Sequence, residues 1–310
     1  MSPERTPRRR TCAQMIVHEW LAETQPDYRD DRLAAEADTR ERLESGEARM
    51  LAAEVTTIPV VVHVVYKTDE ENISDAQVHS QIDALNRDYR AQNADKSAVP
   101  PTWASLVADP NIEFALATTD PDGNTTTAIS RTATTADSFG PDNGVKAQAT
   151  GGTEPWPTDR YLNIWVCNLA QSLLGYAQFP GGPAATDGVV ILYSAFGTTG
   201  NVSPPFDKGR TTTHEVGHFF GLRHIWGDKT DCTGDDLVAD TPKAQRPNFG
   251  KPSFPHITCD NGPNGDMFMN YMDYVDDDAM FMFTTGQVDR MNATLAGPRH
   301  ALATALSTPH

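Results

Sequence analysis

Read for its apolar positions, the chain changes character near residue 48. Before that point Ile16, Val17, Trp20 and Leu21 recur at near-helical spacing in a charged stretch, and a second helix-prone run covers residues 28–43. Ser45-Gly46 breaks the pattern. On the residues alone this is either a helical appendage on an exposed linker or an ordinary helical lobe of the domain. From Ile58 the texture reverses. Ile58-Pro59-Val60-Val61-Val62-His63-Val64-Val65-Tyr66 is a β-branched run suited to a buried strand, with His63 as a core histidine. Ser74 followed by Gln77 is a capping-box signature, and Val78, Ile82, Leu85 and Tyr89 form the inward face of a helix running to about Gln92. Strand patterns follow at 112–117, 161–169 and 188–196, and a last helix begins near Thr285 and runs through Met291. Strand, helix, several strands and helix describe an α/β lobe.

The chemistry is concentrated in Thr213-His214-Glu215-Val216-Gly217-His218-Phe219-Phe220-Gly221-Leu222-Arg223-His224. On a helix, His214 and His218 project from one face and can grip one metal ion. Glu215 lies beside them, placed to act on water rather than to ligate. Gly221 permits a sharp turn without a Cβ penalty, and His224 then arrives as a third ligand. Three neutral nitrogens with one open position describe a catalytic zinc site rather than a closed structural one.

Composition narrows the partners. With 42 acidic against 25 basic residues the net charge is −17, which disfavours nucleic acid. Arg8-Arg9-Arg10 is a local exception that reads as a solvated tail. No apolar run is long enough to span a membrane, and no apolar segment of signal-peptide type follows the N-terminal arginines. Four cysteines, at 12, 167, 232 and 259, are too few for a disulfide scaffold. Cys167 lies in an apolar run and reads as a buried, inert thiol. Cys232 and Cys259 flank a loop region that a bridge would restrain, and Cys12 stands alone. Asp231, Asp235, Asp236 and Asp240 gather in one loop closed by Thr241-Pro242, which suits calcium or is a plain solvated acidic loop.

Together with Asn270-Tyr271-Met272-Asp273-Tyr274, the zinc motif resembles that of the metzincin metallopeptidases, which place a methionine turn beneath the metal. The continuation Val275-Asp276-Asp277-Asp278, then Met282-Phe283-Thr284 and Gly286-Gln287, is similar to the pappalysins, and among them to the short ulilysin-like enzymes. The resemblance spans residues 58–291. It implies a mixed twisted sheet with the active-site helix in an upper lobe (49–221). An irregular lower lobe (222–310) with the Met-turn and a C-terminal helix would follow, and a helical prosegment (1–48) would precede both.

By that resemblance Met272 underlies the histidines and Tyr274 hydrogen-bonds the tetrahedral intermediate. Asp277 lies at the bottom of the pocket after the scissile bond (S1′) and selects Arg or Lys. Leu174, Gly175, Tyr176 and Ala177 form the rim strand along which substrate pairs. The loop with Asp236, Asp240 and Thr241 resembles a calcium-binding segment, and Cys232 and Cys259 match one of two family disulfides. Lys251 and Ala279 stand where the other pair is expected. The implied activity is that of a secreted zinc endopeptidase using zinc-activated water with Glu215 as general base. Two rivals are a zinc amidohydrolase or esterase and an inactive zinc-binding module. Cys12 is either a stray thiol or, by that resemblance, a latency device that ligates zinc from the prosegment. Arg10 or a neighbour is then expected to pair with an acidic group in the cleft, with Asp277 as one candidate. Self-cleavage is expected at Ala48-Arg49.

Overall fold

The computed structural model describes residues 7, 9–46 and 54–304. Strand β1 (Thr56–Tyr66) is the axis of a six-stranded mixed sheet. Along one side β1 pairs in succession with β2 (Ile112–Leu116) and β3 (Ile129–Ala133), both parallel. Across its other side lie β4 (Leu162–Cys167), β6 (Val189–Leu192) and, antiparallel at the edge, β5 (Gly175–Ala177). The unbroken apolar run of β1 follows from burial on both faces. Ile58, Val60, Val62 and Val64 join the main core, while Val61 and Val65 enter smaller clusters behind the sheet. His63 is buried there, held between Ser130 Oγ at 2.7 Å and Asn163 Oδ1 at 2.9 Å.

Helix α3 (Asp75–Tyr89) opens as expected, with Ser74 Oγ accepting from Gln77 N at 3.2 Å. The reciprocal half of the box is absent, because the Gln77 side-chain oxygen accepts instead from Asn201 N at 2.8 Å while its amide donates to Tyr193 O and Phe196 O. The helix also stops at Tyr89 rather than at Gln92, since Ala91 turns to φ 45°. The strand patterns at 112–117, 161–169 and 188–196 overran their ends, and β3 was missed. Ser130, Arg131 and Thr132 give β3 little apolar signal, and its place is fixed by backbone pairing with β1.

Helix α4 (Arg210–Phe219) carries the first two histidines and is buried along its whole length. Beyond it the chain forms an irregular lower region bridged by Cys232–Cys259, and returns to regular structure in α5 (Thr285–Ala296) and α6 (His300–Thr304). The start of α5 is a complete capping box of Thr284 and Gln287.

The N-terminal helices α1 (Gln14–Thr24) and α2 (Tyr28–Ser45) are docked on this body. Ala13, Val17 and Leu21 share a cluster with Trp165, Leu174 and Tyr176. On α2, both Glu36 carboxylate oxygens accept from Arg290 Nη2 of α5 at 2.7 Å, while Arg32 donates to the same carboxylate at 3.2 Å. Arg290 Nε in turn holds Gly221 O at 2.9 Å. The expected linker cleavage site at Ala48-Arg49 lies outside the described residues. No described helix is long and apolar enough to cross a membrane.

Candidate active site

On α4, His214 and His218 face the turn that delivers His224. Their Nε2 atoms converge, with His218 Nε2 at 3.2 Å from His214 Nε2 and 3.0 Å from His224 Nε2. Each Nδ1 is engaged elsewhere: His214 with Tyr271 O at 2.7 Å, His218 with Leu222 O at 2.8 Å, His224 with Asp228 Oδ1 at 2.6 Å. Those acceptors fix the Nδ1–H tautomers and turn three Nε2 lone pairs on one another. Lone pairs do not bond to lone pairs, so the arrangement fits a shared cation. Burial, and for His214 and His218 the neighbouring histidines, push both pKa values well down, which keeps these imidazoles neutral as metal ligation requires. Burial alone would raise Asp228, but His224 beside it holds its carboxyl below the usual range.

The local sequence builds this geometry at two glycines. Gly221 sits at φ 86°, a left-handed turn that ends the helix and carries the chain back toward His224. Gly217 lies under the site, where a Cβ would come within 2.5 Å of Met272 Sδ. Met272 is buried there. Gly217 was not singled out from sequence, because only the fold shows what approaches it.

Cys12 Sγ joins the three histidines, all four donor atoms lying within 4.8 Å of one another. It is the one such group of His, Cys, Asp and Glu donors among the described residues. Cys12 Sγ also donates to Glu215 Oε2 at 3.3 Å. Burial and Glu215 push the thiol well up, so that a divalent cation among the nitrogens would be needed to make thiolate the stable form. Burial raises Glu215 to about 8, against the Cys12 hydrogen bond and Arg10. Tyr274 Oη donates to Cys12 O at 3.4 Å, and its ring packs on Trp226, which stacks on His224.

Residues 11–14 lie along β5 in the parallel sense. Leu174 N donates to Thr11 O at 2.9 Å, Ala13 N to Gly175 O at 3.0 Å, and Ala177 N to Gln14 Oε1 at 3.1 Å. Tyr176 turns its ring into the core, so what it offers a bound chain is backbone.

Arg10 corrects the reading of the arginines as a solvated tail. It is 2% exposed, and every nitrogen of its guanidinium is used. Nη2 meets Asp277 Oδ1 at 2.6 Å, Nη1 donates to Thr211 Oγ1 at 2.9 Å, and Nε donates to Val275 O at 3.2 Å. The group lies over the Phe206 ring. The other oxygen of Asp277 accepts from the backbone of Lys208 at 2.8 Å and of Arg210 at 3.3 Å, at the start of α4. Composition could not reveal this, because burial of a cation needs a partner 267 residues away.

A buried brace that sequence reasoning missed ties the parts together. Asp88 of α3 accepts from Thr213 Oγ1 at 2.7 Å and Tyr271 Oη at 3.0 Å, and pairs with Arg210 at 3.0 Å. Arg210 also pairs with Asp95 and donates to the Asp277 and Met280 carbonyls. The available signal was Asp88 itself, a carboxylate in the apolar stripe of α3 beside Tyr89. Burial lifts it to about 6 despite Arg210.

The expected calcium residues are engaged by protein donors, within the loop and at the start of α5. Asp236 Oδ2 accepts from Thr241 Oγ1 at 2.7 Å, whereas Asp240 accepts from Thr284 Oγ1 at 2.7 Å and from Gly286 N at 2.8 Å. Where a second disulfide was expected, Lys251 pairs with Asp278, the neighbour of Ala279, at 2.7 Å.

Residues 148–296 match the family model of peptidase M43, described as pregnancy-associated plasma protein-A. An extracellular metalloprotease of Arthroderma benhamiae is 31% identical over 269 residues, covering 83% of this chain and 85% of that one. The structure of mature mirolysin from Tannerella forsythia, in complex with a cleaved peptide, is 51% identical with a TM-score of 0.79, covering 83% of this chain and 99% of that one. A promirolysin mutant from the same organism is 46% identical with a TM-score of 0.87, covering 97% of this chain and all of that one. The chain therefore belongs to the peptidase M43, or pappalysin, family and is a zinc metalloendopeptidase.

Proposed function

We propose that this enzyme is a zymogen that cleaves peptide bonds before Arg or Lys outside the cell. Residues 1–48 are its inhibitory prosegment and 49–310 its catalytic domain. The observation that carries the reading is Arg10, whose guanidinium fills the Asp277 pocket while Cys12 sits among the three histidines. A guanidinium paired with a buried carboxylate is what an arginine side chain of substrate would supply, and an apolar guest would leave the charge unpaired. The pro-form match covers 97% of the chain and the mature match 83%, and the difference is about the size of the N-terminal appendage. The Cys232–Cys259 bridge and the relatives named extracellular metalloproteases support an oxidising compartment.

A zinc ion held by His214, His218 and His224 supplies Lewis acidity. Once the prosegment leaves, Glu215 Oε2 loses the Cys12 thiol and is free to take a proton from the attacking water. It then returns that proton to the leaving amine. Tyr274 Oη, released from Cys12 O, donates to the developing oxyanion. The backbone of 174–177 aligns the extended substrate, and Asp277 anchors its Arg or Lys.

Calcium at Asp236, Asp240 and Thr241 belongs to the same proposal. Burial raises the Asp236 carboxyl to about 7, a cost that a divalent cation would offset. Adding calcium to chelator-treated, dialysed protein should raise Tm, and an unchanged Tm would leave the loop self-satisfied.

The decisive experiment compares full-length wild type with Cys12→Ala and Asp277→Ala on a peptide mixture. Cys12→Ala should be active without a lag, and processed wild type should cleave before Arg or Lys. Processed Asp277→Ala should lose that preference. Equal latency in Cys12→Ala, or an unchanged cleavage profile in Asp277→Ala, would defeat the corresponding role.

A further inference from the structure

Arg9 precedes the arginine in the Asp277 pocket, and its guanidinium carbon lies 5.1 Å from the centroid of the Phe249 ring. That is within cation–π range. Phe249 is held in place by its neighbour: Asp276 N donates to Gly250 O at 2.9 Å, and Gly250 pairs with Val275 as a parallel bridge. Val275 is the residue whose carbonyl receives Arg10. The ring therefore lies on the lip of S1′, with its centroid 6.0 Å from that of the Tyr274 ring. It is 37% exposed even with Arg9 beside it. Asp276 is half-buried, and its carboxylate has no hydrogen-bond or ion-pair partner among the described residues, although Lys251 and Arg10 act on it at longer range. Asp278, by contrast, is used by both Lys208 and Lys251.

We propose that Phe249 and Asp276 form a second cation subsite, S2′, so that the enzyme favours two successive basic residues after the scissile bond. The inference rests on Asp277 being the floor of S1′. The prosegment and a substrate need not share backbone direction for it to hold. Either chain, having filled the Asp277 pocket, leaves on the side away from the histidines, and its next side chain meets the same lip. An aromatic face favours a cation, and Asp276, whose backbone N–H bonds the carbonyl of the residue after Phe249, adds negative charge nearby that disfavours an acid. Arg should exceed Lys there, because the planar guanidinium stacks on the ring.

The test uses processed wild-type enzyme and competing peptides with Arg at P1′ and Arg, Lys, Ala or Glu at P2′. We expect kcat/KM for P2′ Arg to exceed that for Ala about two- to five-fold, with Glu below Ala. Phe249→Leu should bring Arg down toward Ala while the P1′ preference persists, and Asp276→Asn should narrow the gap between Ala and Glu. Equal rates for Arg and Ala at P2′, with P1′ Arg still preferred, would remove the second subsite and leave the Asp277 reading standing. Absence of any P1′ preference in wild type would overturn the Asp277 reading and this subsite with it.

Discussion

At the scale of single residues, the site separates holding from reacting. The histidines are fixed by carbonyl and carboxylate acceptors at Nδ1, whereas the side chain of Glu215 is met by the Cys12 thiol, which on the proposed reading departs with the prosegment. Glu215→Gln should therefore retain metal by elemental analysis, yet lower kcat of the processed enzyme by about 10²–10⁴. Wild-type kcat in that variant would exclude Glu215 as the base. These residues were legible because the motif is local: His214, Glu215, His218 and His224 lie within one helix and one turn. Arg10 was only half legible. Its charge and its place before Cys12 suggested a pairing with Asp277, but nothing in Arg8-Arg9-Arg10 says which arginine is buried.

Among the elements, strands and helices with strong periodicity were readable and those defined by their partners were not. β1 announced itself by its unbroken valines, while β3 needed β1 beside it. The brace of Asp88 and Arg210 belongs to this scale, since it joins α3, α4, the segment at Tyr271 and the Asp277 loop. Asp88→Ala leaves Arg210 with part of its compensation and should cost about 3–5 kcal/mol in denaturant unfolding. A loss under 1 kcal/mol would show that the brace is dispensable. His63 makes a comparable link between β3 and β4. Burial lowers its pKa from 6.5 to about 4, so the unfolded chain takes up the proton first as pH falls. Its contribution is thus complete above about 6.5 and is lost through about 4, at most ~3 kcal/mol. His63→Gln should show a shallower loss of stability across that window than wild type. Parallel curves would mean that His63 does not titrate between the two states.

For the whole molecule, the docked arrangement of the N-terminal helices matters as much as the plug at the histidines. Glu36 on α2 meets Arg290, which is anchored on Gly221, far along the chain from Cys12. Severing the connection between α2 and β1 would leave those contacts intact and convert an intramolecular inhibitor into a separate molecule. The local concentration set by the tether is then lost, and what remains is ordinary mass action. Clipped enzyme should therefore stay quiet in a concentrated stock and wake on dilution, with a lag that shortens when Glu36→Ala weakens the second hold. Full activity at the moment of clipping, whatever the protein concentration, would show that the severed helices dissociate at once.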